Sequence, residues 1–132
     1  MDAALLDTDT ISEILRRRDP QVETNSTQYL FEHSAFAYSV ITHYEIVRGL
    51  LWKEALRQLV DYRRFAAKSI VVPISEAIFE RAAELWVDGR RLGKPHGDAD
   101  PIIAATALIH GLRLVTGNTL HFDWIPGIAL LN

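Results

Sequence analysis

Short apolar runs alternate along the chain with longer segments in which apolar residues recur at helical spacing. The short runs predict strands at residues 3–6, 35–41, 69–74, 113–116 and 128–131, and the first of these is predicted to be buried. The longer segments predict helices at 10–18, 24–33, 42–51, 53–67, 75–92 and 97–110. Because strands alternate with helices, the chain predicts an α/β fold with a mostly parallel central sheet of about five strands and helices on both faces.

Local signals place the ends of these helices. Thr10 with Glu13, and Thr42 with Glu45, have the spacing of a capping box, in which a hydroxyl and a glutamate cap a helix start. Asp19 and Pro20 predict the end of the first helix, because proline disfavours a helical conformation in the residue before it. The other predicted stops are glycines, Gly93 and Gly111.

Composition limits the class of protein. The 132 residues suit a single domain over 1–132, and 48% hydrophobic with 23% charged residues is typical of a folded protein with a core. The chain has no cysteine, which excludes disulfides and thiolate chemistry. We see neither a signal peptide nor an apolar run of membrane length, so we expect a cytoplasmic protein without a membrane partner. The net charge of −3 averages over arginine clusters and says little about nucleic-acid binding.

Acidic residues lie where strands end or helices begin. Asp7 follows the first strand, Glu45 follows the second, and Asp98 and Asp100 open the alanine-rich helix. Ligands of open α/β sheets bind beyond the carboxyl ends of the strands. Carboxylates from separate segments are what a hard cation such as Mg²⁺ and metal-assisted phosphodiester cleavage require. The topology therefore permits, but does not prove, a metal site built from these acids.

Each acid also has a purely structural interpretation. Asp7 could cap a helix or occupy a turn. Glu45 could serve only as a capping-box glutamate, and either Asp98 or Asp100 could simply cap the alanine-rich helix. Asp9 could point elsewhere. These alternatives stay open on the residues alone.

The histidines give no metal motif in the sequence. They are scattered, and no two have the close spacing of zinc ligands, so we do not expect a zinc site. The scattered histidines include His43, His96, His110 and His121.

Four segments, in order, carry a resemblance to a known family. Residues 5–10, Leu-Leu-Asp-Thr-Asp-Thr, resemble the opening of PIN-domain toxins of the VapC type. Residues 39–49, with Glu45 and Gly49, resemble the second motif of that family, and residues 98–108 resemble the third. Residues 114–122, from Leu-Val-Thr to His-Phe, resemble the fourth, and 125–128 resemble the closing strand. The resemblance therefore spans nearly the whole chain.

The resemblance assigns roles to individual residues. It implies that Asp7, Glu45 and Asp100 are catalytic acids that bind Mg²⁺ or Mn²⁺, with Asp98 as a further acid of the same motif. Where the family often has a fourth aspartate, this chain has Asn118, which carries no charge and puts a second metal in doubt. Thr8 and Thr116 are expected to support the site by orienting water or carboxylates.

The resemblance also implies activity and partners. We expect a metal-dependent endoribonuclease that acts on tRNA or rRNA, forms a homodimer and serves as the toxin of a type II toxin–antitoxin pair with a VapB-type antitoxin. Apolar residues of the early helices could face the antitoxin, although ordinary core packing explains them equally well. These residues are Ile14, Leu15, Leu50 and Leu51.

Two other functions compete with this expectation. Residues 5–9 also resemble the Asp-x-Asp motif of haloacid-dehalogenase-type phosphatases, although the chain is short for that fold and Ile11 departs from its pattern. A PIN fold that binds RNA or protein without cutting is the second alternative, and Asn118 keeps it open.

Overall fold

The computed structural model describes residues 2–132 and contains one sheet flanked by helices. The strands are β1 (Ala4–Leu6), β2 (Ala37–Ser39), β3 (Ile70–Val72), β4 (Arg113–Val115) and β5 (Leu130–Leu131). The helices are α1 (Thr8–Arg16), α2 (Pro20–His33), α3 (Val40–Trp52), α4 (Leu56–Ala67), α5 (Glu76–Arg91) and α6 (Ala99–His110), and a 3-10 turn spans Thr119–His121. The strand order is β3-β2-β1-β4-β5, and every pair is parallel, which confirms the predicted α/β class.

The sheet separates two hydrophobic cores. In β1, Leu5 packs into a core with α5 and α6, whereas Ala4 and Leu6 pack into a second core with α1 to α4. This alternation follows from strand geometry, since successive side chains point to opposite faces. Helices therefore cover both faces, and β1, the central strand, is fully buried.

The first helix begins earlier than predicted. Its N-cap is Asp7, whose side chain accepts a hydrogen bond from the Thr10 backbone N–H, so the predicted capping box of Thr10 with Glu13 is wrong. The helix ends at Arg16, with Arg17 in a left-handed conformation at φ 53°. Asp19 and Pro20 do not end it; they cap and open α2, where proline is tolerated because a first-turn N–H needs no helical partner.

The start of α3 also differs from its prediction. Ser39 is the N-cap, and its hydroxyl accepts from the Ile41 N–H, so Thr42 lies inside the helix rather than before it. Glu45 consequently has no capping role, and the capping-box interpretation of that residue is wrong. Two later predictions are confirmed, since Ser75 caps α5 and Gly111 closes α6 in a left-handed conformation at φ 65°.

Within residues 2–132, no helix combines the length and apolar character that crossing a bilayer demands.

Candidate metal centre

Asp7 is fixed at the carboxyl end of the central strand. Its backbone N–H donates to the Val115 carbonyl of β4 at 3.1 Å, and its Oδ1 accepts from the Thr10 N–H at 2.9 Å. The residue is buried, with 5% of its surface exposed. Its backbone is thus tied to the neighbouring strand and its carboxylate to the start of α1, which leaves the side chain little freedom to reorient.

A hydroxyl links α1 to α3. Thr8 Oγ1 donates to Glu45 Oε1 at 2.7 Å and lies 3.0 Å from the Thr42 hydroxyl, so Thr8 accepts there when it donates to the glutamate. Thr42 is fully buried. Thr8, which directly follows Asp7 in the chain, therefore links the Glu45 carboxylate to the start of α1.

Asp100 lies in the first turn of α6 between two imidazoles. Its Oδ2 is 3.3 Å from His121 Nδ1 and 3.7 Å from His96 Nδ1. Burial raises the pKa of Asp100; the two histidines oppose this rise, and the negative charges of Asp7 and Glu45 add to it. Asp7 and Glu45 therefore lie close enough to act on Asp100 electrostatically, and the three acids share one region of the fold.

The donor set suits a hard divalent cation. Each of Asp7, Glu45 and Asp100 uses one oxygen for contacts with hydroxyl, amide or imidazole groups. Within residues 2–132, the second oxygen of each carboxylate accepts no hydrogen bond, although Arg48 approaches Glu45 Oε2 to 4.0 Å. Oxygens held in place but not satisfied by the protein are what Mg²⁺ or Mn²⁺ would bind.

Asp98 is placed differently from the other acids. It occupies the N-cap position of α6, but its side chain makes no capping hydrogen bond. It is exposed and lines a largely apolar groove between α5 and α6, together with Phe79, Trp86 and Ile102. Asp7 and Glu45 therefore lie within electrostatic range of Asp100, whereas Asp98 lines a different surface.

Thr116 and Asn118 shape the segment after β4. The fully buried Thr116 hydroxyl accepts from the Asn118 N–H at 3.0 Å, and Asn118 Nδ2 lies 3.0 Å from His121 Nε2. Asn118 thus lies against the His121 ring, which in turn lies beside Asp100.

Sequence reasoning missed the two histidines at Asp100. His96 lies before α6, and His121 lies at the end of the 3-10 turn. They are too far apart in the sequence to have the close spacing of a zinc-ligand motif. The His96 ring stacks on Trp124 at 6.0 Å with 5° between planes, and its Nε2 is buried with no hydrogen-bond partner in the described chain. The one local signal was the separation of four residues between His96 and Asp100.

Comparison with known proteins identifies the family. A model of the PIN domain matches residues 4–123, whereas a search of curated proteins gave no match. Among solved structures, the chain resembles the DNA-bound VapBC from Salmonella typhimurium (26% identity, TM-score 0.86, covering 99% of this chain and 98% of that one). It also resembles FitAcB from Neisseria gonorrhoeae, with 28% identity and a TM-score of 0.76. That match covers 98% of this chain and 96% of the other. VapBC2 from Rickettsia felis bound to a promoter DNA fragment shares the fold, with 22% identity and a TM-score of 0.85. That match covers 98% of this chain and 97% of the other.

These matches confirm the resemblance to VapC-type PIN domains that the four sequence segments carry. The family match begins at β1, includes every acid discussed above and ends beyond the 3-10 turn. Because it covers most of the chain, and the all-parallel sheet agrees with it, the chain belongs to the PIN domain family.

Proposed function

We propose that this PIN domain is a metal-dependent endoribonuclease and the toxin of a type II toxin–antitoxin pair. The observation that carries the proposal is the convergence of Asp7, Glu45 and Asp100 from three separate elements onto one region at the carboxyl end of the sheet. The solved relatives, which are VapBC complexes, support the toxin assignment. We propose Mg²⁺ or Mn²⁺ as the cofactor because the acids offer oxygen ligands.

The roles of the chain's own residues follow from their contacts. A bound divalent cation would supply the positive charge that activates water and stabilises charge on the phosphate. Asp7 and Asp100 would hold that cation from opposite segments, each with an oxygen not engaged by the protein. Thr8 would keep Glu45 aligned, because its hydroxyl donates to one carboxylate oxygen and leaves the other available.

RNA is the proposed substrate, with tRNA or rRNA suggested by the family resemblance. Among residues 2–132, Arg48 lies beside the acids in a position to contact a phosphate, because its side chain is 60% exposed and lies 4.0 Å from Glu45. This arrangement would let a phosphate approach the acids while its charge is partly balanced by Arg48.

A VapB-type antitoxin is the proposed partner. A groove of about 390 Å³ between α1, α2 and the end of the sheet is lined mainly by apolar side chains, including Ile14, Val22 and Tyr29. Of the residues suggested from the sequence, Ile14 and Leu15 also pack against a core, and so does Leu50, whereas Leu51 is exposed. A homodimer, also implied by the family, is testable by light scattering of the purified chain.

Cleavage of total bacterial RNA by the purified, antitoxin-free protein tests the proposal. Discrete fragments should form with Mg²⁺ or Mn²⁺, disappear with EDTA, and be absent with Asp7→Asn, Glu45→Gln and Asp100→Asn. The matched control is Asp61→Asn, which removes one exposed carboxylate on α4 and should cleave like wild type. Cleavage that persists in EDTA or in the three site variants would refute the proposal.

The alternatives predict different results. A non-catalytic PIN module would bind RNA without producing fragments. The phosphatase alternative is disfavoured by the family match and by the position of Asp9, which is exposed and lines the groove beside α2. Asp9→Asn should accordingly keep nuclease activity, whereas it would abolish a phosphatase.

A further inference from the structure

We infer that His96, Asp100 and His121 form a second binding site, for a transition-metal ion of the Zn²⁺ class, which shares Asp100 with the acidic site. One potential ligand atom from each residue lies within 4.8 Å of the other two. The residues come from the loop before α6, the first turn of α6 and the 3-10 turn, so the packed fold brings them together. The inference does not rest on the proposed nuclease activity, because it is tested by metal binding alone.

Two of the three spacings between the ligand atoms are close to those of tetrahedral zinc. With Zn–N and Zn–O bonds of roughly 2.0–2.2 Å, neighbouring ligand atoms of a tetrahedral site lie about 3.3–3.6 Å apart. Asp100 Oδ2 is 3.3 Å from His121 Nδ1 and 3.7 Å from His96 Nδ1. The two histidine ligand atoms lie within 4.8 Å of each other, and the fourth position of the site would be open to water.

The chemistry of the donors separates this site from the acidic one. Imidazole nitrogens favour zinc and other transition metals, whereas Mg²⁺ favours carboxylate and water oxygens. Two neutral rings and one carboxylate bring a single negative charge, and Asp7 and Glu45 add further negative potential nearby. A dication is therefore favoured at this position.

Neighbouring side chains hold both rings in place. Trp124 stacks on His96 at 6.0 Å, and its Nε1–H donates to the His121 carbonyl at 2.9 Å, so one indole positions both histidines. Asn118 lies 3.0 Å from His121 Nε2. When His121 Nδ1 binds a metal, its Nε2 carries the ring proton. If the Asn118 amide is rotated by about 180°, its Oδ1 would accept a hydrogen bond from that N–H.

Zn²⁺ titration of the full chain tests the inference. Calorimetry in excess Mg²⁺ measures affinity, and histidine ring-proton NMR signals of wild type identify the ligands. His96→Gln and His121→Gln should each weaken Zn²⁺ binding by on the order of a hundredfold, and Asn118→Ala by about tenfold. His110→Gln is the matched control, because His110 is exposed at the end of α6 and belongs to no ligand cluster among the described residues.

The expected NMR result is that Zn²⁺ shifts or broadens the ring signals of His96 and His121 and leaves those of His110 and His43 unchanged. Binding that survives both glutamine substitutions, or that His110→Gln weakens equally, would overturn the inference. Unmoved His96 and His121 signals in wild type would overturn it without relying on any variant. If the two glutamine variants lose Zn²⁺ binding but still cleave RNA, the inference of a zinc site is supported. The test of the zinc site is therefore distinguishable from the test of the nuclease proposal.

Discussion

The charge on Asp100 should cost stability until a metal neutralises it. Burial raises the pKa of Asp100 above its ordinary value of 3.8, so the folded protein holds this proton more tightly than the unfolded chain. The resulting stabilisation is complete below that ordinary value and is lost as pH rises through the folded-state pKa. At neutral pH the ionised carboxylate is therefore unfavourable, and Asp100→Asn should melt at a higher temperature than wild type in EDTA.

Metal binding should reverse the order of these melting temperatures, so that wild type melts above Asp100→Asn. A ligand at a hundredfold excess over its dissociation constant stabilises a folded protein by about 2.7 kcal/mol. An unfolding entropy of about 2.1 cal/mol/K per residue gives the 132-residue chain a total of about 0.28 kcal/mol/K. Dividing the metal's stabilisation by this entropy predicts a rise of about 10 °C in the melting temperature. Asp100→Asn should lose most of that rise because it removes one anionic ligand.

Thermal melts followed by circular dichroism, in EDTA and at increasing Mg²⁺, make the comparison. Asp98→Asn removes a carboxylate two residues away that is exposed and makes no capping bond, so it should respond to Mg²⁺ like wild type. This pair of variants also decides between Asp98 and Asp100 as the metal ligand. The reasoning is wrong if Asp100→Asn melts below wild type in EDTA, or if its Mg²⁺-induced rise equals that of wild type.

Two further substitutions test contacts between α3 and its neighbouring helices. Thr8→Val removes the hydroxyl that donates to Glu45 and should lower RNA cleavage roughly 10- to 100-fold, whereas Thr8→Ser should restore most activity in the same assay. Tyr62→Phe removes a hydroxyl 3.0 Å from that of Tyr38 and 2.7 Å from His43 Nδ1, and urea denaturation should show a loss of about 1–3 kcal/mol. Burial raises the pKa of Tyr38 and Tyr62 above 10.0, so their contribution is present below that pH and is lost as pH rises further. Urea midpoints of wild type should therefore fall above that pH, and an equally steep fall in Tyr62→Phe would contradict this assignment.

The sequence predicted the fold better than it predicted helix starts. Every predicted strand is present, because apolar runs this short are typical of strands rather than helices. The Thr-x-x-Glu spacing failed twice, because Asp7 and Ser39 lie closer to the strand ends and cap the helices first. Capping residues are common and exchangeable, so the spacing alone does not say which candidate is used.

The histidine pair could not be predicted, because tertiary packing creates it. His96 reaches Asp100 because the loop after α5 folds back over Gly89, where a Cβ would lie 2.9 Å from the Lys94 carbonyl oxygen and 3.2 Å from Trp124. The same indole stacks on His96. The separation of four residues between His96 and Asp100 is local, whereas the contact of His121 with Asp100 and that of Trp124 with His96 depend on how the C-terminal segment packs.

For Asp7, the choice between helix cap and metal ligand was never exclusive. A carboxylate has two oxygens, and Asp7 Oδ1 accepts from the Thr10 N–H while Oδ2 has no hydrogen-bond partner within residues 2–132. The capping bond fixes the orientation of the carboxylate before any metal arrives, and this reduces the conformational entropy that binding would otherwise cost. Glu45 is held in the same way by Thr8, through a side chain instead of a helix start. The structural contacts of these acids are therefore the means by which the fold would prepare a metal site, rather than evidence against one.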